Sequence, residues 1–105
     1  MSKVSSYDSG FLSDSMMLIL ACAIHPVHGY KIMRELKERS SGLFEIGPTT
    51  MYRTLKKMKI AGWIKEIEHD EARIFYQTTD LGSQVLKRDL ERRKLILEIA
   101  EEFLI

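Results

Sequence analysis

Two strand-like runs, WIKEIEH at 63–69 and RIFYQT at 73–78, stand between helical patterns, and that placement restricts the fold more than any other feature. Both are rich in Ile, Phe, Tyr and Trp. His69, Asp70, Glu71 and Ala72 lie between them as a polar hairpin tip. Ahead of them the pattern is helical three times over. Ser13 or Asp14 can cap a first helix running to about Ile24, and its segment SMMLILACAI is apolar almost all round, so it should be central and buried. Pro26 interrupts. In HGYKIMRELKERSSG, Ile32, Met33 and Leu36 share one face, while Lys31, Arg34, Glu35, Lys37 and Glu38 point outward; Ser40, Ser41 and Gly42 end the helix. Residues 43–46 read as a very short strand. Gly47 sits at the next N-cap with Pro48 at the first helical position, and Gly62 is the stop. Thr79 caps a last helix of about 25 residues.

The order helix, helix, short strand, helix, strand, strand, long helix describes a mainly α chain with a two- to three-stranded β wing. This is a winged helix-turn-helix with an appended helix. With 105 residues it fits one folding unit, divided as a flexible arm at 1–12, the winged helix-turn-helix at 13–78 and the terminal helix at 79–105.

The third helix carries the functional signal. At 100° per residue Met51, Leu55 and Met58 form one stripe for burial, with Thr49, Arg53 and Lys56 opposite and Thr50, Tyr52 and Lys57 flanking. From Pro48 to Lys65 there are five cations and no anion, in a chain whose net charge is only +1. Ordinary exposed helix faces mix signs for i,i+4 pairing, so an acid-free face is not the pattern of a merely solvated surface. Cations for phosphate or guanine, and hydroxyls for phosphate or a thymine methyl, are what a DNA duplex asks for. The second helix of a helix-turn-helix is also the one that enters the major groove.

At these residues the chain resembles the PadR-like transcriptional regulators. That family carries an H-G-Y-x-I-x-x-x-L segment, which here reads His28, Gly29, Tyr30, Ile32 and Leu36. Its recognition helix has the form P-x-T-x-Y-x-T-L, here Pro48, Thr50, Tyr52, Thr54 and Leu55. Its wing ends in basic and aromatic residues before a T-x-x-G helix start, here Arg73, Phe75, Tyr76, Thr79 and Gly82. The resemblance implies a dimeric, repressor-like protein on a palindromic operator, with a single C-terminal helix completing the dimer as in the small subfamily. Three departures stand out. Arg53 replaces a usual proline, the wing tip is acidic at Asp70 and Glu71, and Thr78 replaces a usual apolar residue.

Tyr30 has two readings that can hold together. Its hydroxyl can meet a phosphate, as the resemblance implies, and its ring can pack on the first helix. Trp63 reads as a core-edge residue and Cys22 as a small core residue. His25, His28, His69 and Cys22 show no recognised metal-ligand spacing, and there is neither a Gly-rich phosphate loop nor a Ser/His/Asp or Cys/His set. The expectation is therefore no enzyme and no cofactor. One thiol, no secretory signal and an apolar run at 16–24 too short to span a bilayer predict a cytoplasmic protein, with no membrane partner.

The last helix needs a partner. From Leu95 eight of eleven residues are apolar. Leu97 and Leu104 continue the line of Leu90 by sevens, and Leu95, Ile96, Ile99 and Phe103 widen it. A second copy on a two-fold axis covers such a face, through Leu86, Leu90, Ile96, Leu97, Ala100, Phe103 and Leu104, at roughly 800 Å² per subunit. Pairing also sets two recognition helices about 34 Å apart. The expected contacts to double-stranded DNA are Thr49, Thr50, Tyr52, Arg53, Lys56 and Lys57, with Tyr30 and Arg73 on phosphates. A small-molecule effector of unknown identity, or a modification, would release the homodimer by changing the angle between its winged domains. The competing expectation is a winged-helix protein-interaction module, whose wing acids and apolar tail dock a protein.

Overall fold

In a computed structural model, residues 11–68 and 73–105 are described. The hairpin tip at 69–72 and the first ten residues of the expected arm lie outside them. Among the described residues four helices and a small antiparallel sheet follow one another as α1 (Asp14–Cys22), β1 (Val27–His28), α2 (Gly29–Arg39), α3 (Pro48–Ile60), β2 (Ile64–Glu68), β3 (Ile74–Thr78) and α4 (Asp80–Leu104). The strand order is β1-β3-β2, and the fold is a winged helix. No helix of the described residues is long and apolar enough to cross a membrane.

Local chemistry sets the boundaries. Ser13 caps α1 by accepting from the Met16 N–H at 3.2 Å, and Thr79 caps α4 by accepting from the Gly82 N–H at 3.1 Å. α3 starts on Gly47 and Pro48 and stops at Gly62, whose φ of 82° lets the Trp63 N–H reach back to the Met58 carbonyl at 3.0 Å. α2 ends in the same motif, with a difference. The left-handed residue there is Ser41, at φ 53°, and the Gly42 N–H donates to the Lys37 carbonyl at 2.8 Å.

The third strand is not where the sequence reading put it. Residues 43–46 form a loop in which Leu43 is 77% exposed, and the Phe44 N–H is taken by the Ser40 hydroxyl at 2.9 Å. The strand is instead Val27–His28, directly after Pro26, and it pairs with Tyr76 and Phe75 of β3. Proline fixes its own φ in the range of extended chain, so the residue that breaks α1 also starts the strand.

Met51, Leu55 and Met58 of α3 are fully buried against Ile19 and Leu20 of α1 and Ile32 and Leu36 of α2, as one core with Trp63, Ile64, Tyr76, Val85 and Leu86. Fully burying each such side chain contributes about 1.5–3 kcal/mol. α1 is less enclosed than its composition suggests: Met17, Leu18 and Cys22 are half-buried and Ala21 is exposed. Of the arm's last residues, Leu12 is buried in this core, and Phe11 has the Arg92 guanidinium 4.6 Å from its ring centre.

Thr78 and Thr79 tie the layers together. Thr78 donates its hydroxyl to the Leu20 carbonyl at 2.8 Å and its N–H to the Ala23 carbonyl at 2.7 Å. These are carbonyls that the end of α1 leaves without helical partners. An apolar residue could make the second bond but not the first. Thr79 donates its hydroxyl to the Gly62 carbonyl at 2.6 Å. Gly82 lies against the wing strand so closely that an added Cβ would stand 2.0 Å from the Trp63 carbonyl oxygen.

Candidate nucleic-acid interface

The stripe of Met51, Leu55 and Met58 fixes the rotation of α3, and the rotation decides what faces outward. Thr49, Thr50, Tyr52, Arg53, Lys56 and Lys57 are all exposed. Thr54 is not part of that surface; it is half-buried and donates its hydroxyl to the Thr50 carbonyl at 2.8 Å. Lys59 at the far end is held by Glu66 at 3.0 Å. Among the described residues neither Arg53 nor Lys56 is in a salt bridge. The expected residues of this helix thus share one exposed face, with two cations open to an incoming ligand.

Tyr30, Tyr52 and Arg73, which come from three elements or their edges, meet in a concavity of about 680 Å³ beside α3. Its other walls are His28, Arg34, Ile74 and Tyr76. Gly29 leaves room for the junction. A Cβ there would stand 2.8 Å from the Tyr52 ring, so the missing side chain lets α3 seat its tyrosine on the start of α2. Close packing, rather than an unusual backbone angle, is the reason for this glycine. Tyr30 is 63% exposed, and its ring lies beside His28, with centroids 6.4 Å apart. Burial, with Glu66 and Tyr52 nearby, pushes the Tyr76 phenol above its ordinary pKa, so it stays a neutral donor.

His28 does more than its sequence position suggests. Its Nδ1 accepts from the Lys31 N–H at 3.2 Å, so the ring is the N-cap of α2. Its Nε2 lies 3.3 Å from Nη1 of Arg73. A neutral imidazole accepts at only one nitrogen, so the cap and the arginine contact compete for the ring's lone pair. Sequence reasoning gave His28 no such role and placed Arg34 merely on the outer face. The i,i+4 spacing of Tyr30 and Arg34 was the available signal.

The second expected surface lies on α4. Leu90 is 37% exposed; beyond it Ile96, Leu97, Phe103 and Leu104 are between 50% and 86% exposed, and Ala100 is exposed with them. Leu86 differs from this set: it is buried in its own chain's core, where its turn of α4 still packs on the winged domain. Among the described residues no group of three or more His, Cys, Asp or Glu side chains could hold a metal ion.

The model of the transcriptional regulator PadR-like family matches residues 17–88. A transcriptional regulator from Clostridium thermocellum is similar at 24% identity, over 96% of this chain and 100% of that one, with a TM-score of 0.75. A PadR family transcriptional regulator from Eggerthella lenta is similar at 22% identity over 85% and 80% of the two chains, with a TM-score of 0.74. A PadR family transcription regulator from Clostridium difficile gives 24% identity over 86% and 98%, with a TM-score of 0.72. At these identities the solved structures establish the fold. The comparison with curated proteins found no match.

Proposed function

The chain belongs to the transcriptional regulator PadR-like family, and from that membership we propose that it is a homodimeric repressor that binds a palindromic operator with α3 in the major groove. The observation that carries this reading is the acid-free face of α3, exposed at Thr49, Thr50, Tyr52, Arg53, Lys56 and Lys57 while its opposite side is locked in the core. Arg53 and Lys56 reach base edges or phosphates, the threonines and Tyr52 supply short donors, and Tyr30 and Arg73 anchor the backbone. The uncovered apolar half of α4 supports pairing with a second copy, since a contiguous patch of this kind on a lone chain marks an interaction surface. An effector that shifts α4 against its partner would change the separation of the two α3 helices and so release the operator. This regulator works in the cytoplasm and catalyses no reaction.

Selection of bound fragments from the source genome, followed by footprinting, tests this reading. Enrichment of an inverted repeat, with half-sites one helical turn apart or a multiple of it, is the expected result. Absence of any enriched sequence, with the chain instead retained by a protein partner through α4, would replace it with an interaction module.

A further inference from the structure

α4 leaves its own domain at one turn. Val85 and Leu86 are buried in the core, and Asp89 is the last buried residue of the helix; from Leu90 onward every side chain is exposed or half-buried. What holds that turn is polar. Arg93 bridges three groups: its Nε donates to Asp89 Oδ2 at 2.7 Å, its Nη2 to the Leu12 carbonyl at 2.7 Å, and its Nη1 to the Asp14 carboxylate. The Leu12 N–H donates to Asp89, whose Oδ1 also accepts from Nη2 of Arg92 at 3.0 Å. The Phe11 ring lies against the Arg92 guanidinium. Residues 11–14, the lead into α1, are thus clasped to α4 at its exit. Ile19 and Leu20 of α1 share one core with Met51, Leu55 and Met58 of α3. The clasp therefore links α4, through α1 and that shared core, to α3.

We propose that Asp89 and Arg93 are positioning residues that set the half-site spacing the dimer reads, by fixing the direction in which α4 leaves the winged domain. The inference rests on the homodimeric operator reading and goes beyond it. The outer face of α3 chooses the bases; the clasp chooses their separation, and neither of its residues needs to touch DNA. Apolar contacts let a helix roll, whereas the planar fork of an arginine on fixed acceptors admits one orientation. Past Asp89, α4 continues to Leu104, a length of about 22 Å at the helical rise. A rotation of about 10° at the clasp moves that far end by about 4 Å. One base-pair step along a strand is about 3.4 Å. The proposed dimer contacts at Ile96, Leu97, Phe103 and Leu104 all lie beyond the clasp, so a two-fold axis doubles any such rotation between the two α3 helices.

The test is a fluorescence-anisotropy titration of the full chain against a duplex carrying the selected inverted repeat, and against versions with one or two base pairs added to or removed from its centre. The wild type should prefer one spacing by roughly tenfold, because the others must twist or bend the DNA to fit. Arg93→Gln should flatten that preference to roughly threefold or less while a duplex with a single half-site is bound as before. Arg93→Lys keeps the charge without the fork and should fall between the two. Asp14→Ala, at the exposed end of the clasp, should flatten the preference to a smaller extent, and it decides the matter if Arg93→Gln does not fold. Val85→Ala removes apolar packing one turn before the clasp; it should lower stability and keep the wild-type preference. Circular dichroism and sedimentation confirm that each variant is a folded dimer. An unchanged preference in the folded clasp variants would overturn the inference and leave the operator reading standing. An equal flattening in Val85→Ala would overturn it too, because that marks a general loss of stability, and so would a wild type that accepts every spacing alike. Failure of the wild type to bind any of these duplexes would overturn both readings.

Discussion

Three residues hold positions whose substitutions have a predictable sign. Gly82 faces the Trp63 carbonyl, and a methyl group there would overlap that oxygen at 2.0 Å. The clash is with the Trp63 backbone, and the Thr78 Cγ2 is a further 2.9 Å contact, so Gly82→Ala should cost more than about 3 kcal/mol, read as a collapse of the urea midpoint. Ser41 is the opposite case, an L residue held at φ 53° at the end of α2. Ser41→Gly should raise the melting temperature, by the equivalent of about 0.5–1 kcal/mol, because glycine takes that conformation without strain. Asp89 is the buried acid of α4. Both its oxygens are held, one by Arg92 at 3.0 Å and the other by Arg93 at 2.7 Å, and Arg93 continues to Asp14 and to the Leu12 carbonyl. Burial raises the Asp89 pKa, but hydrogen bonds from Arg93, Arg92 and the Leu12 N–H together bring it below the ordinary carboxylate value. Its stabilising effect is therefore complete above the unfolded-state pKa, near 4, and is lost as pH falls through the lower folded-state value. Thermal melts should show that acid-side loss in the wild type and a smaller one in Asp89→Asn, which should itself be about 2–3 kcal/mol less stable at pH 7.

At the level of elements, what could be read from the sequence was whatever repeats with a period or has a cap. The buried stripe of α3, its Gly-Pro start and Gly62 stop, the Thr79 cap and the length of α4 all follow from local pattern. Residues 43–46 misled because Leu43, Phe44 and Ile46 look like strand material, while the Ser40 side chain binds the loop to the end of α2. The two-residue strand β1 is too short for any periodicity. The Asp89–Arg93–Asp14 network was hidden for a different reason. In sequence it is part of an ordinary charged stretch, and only the approach of α4 to the start of α1 removes Asp89 from water. The concavity beside α3 was half legible. Tyr30, Tyr52 and Arg73 could be singled out one by one, but their meeting depends on the space left by Gly29, and Arg34 carried no mark beyond its spacing. The uncovered half of α4 has its own test. Leu97→Glu places a charge in the proposed two-fold contact, leaves the winged core untouched and should convert a dimer to a monomer in sedimentation equilibrium.

For the whole molecule, the winged domain presents the outer face of α3, and the far half of α4 carries an exposed apolar face. With a net charge of only +1, attraction to DNA must come from local clustering of charge, and the acid-free face of α3 is where the proposed function puts it. Salt dependence is therefore the most direct test: anisotropy titration of a selected duplex, comparing the wild type with Arg53→Ala and Lys56→Ala. The wild type should weaken steeply with salt, at a slope of about −0.9 per phosphate neutralised, and each variant should lose about 1–3 kcal/mol if a base-edge contact is removed. Wild-type affinity in both folded variants would contradict the account.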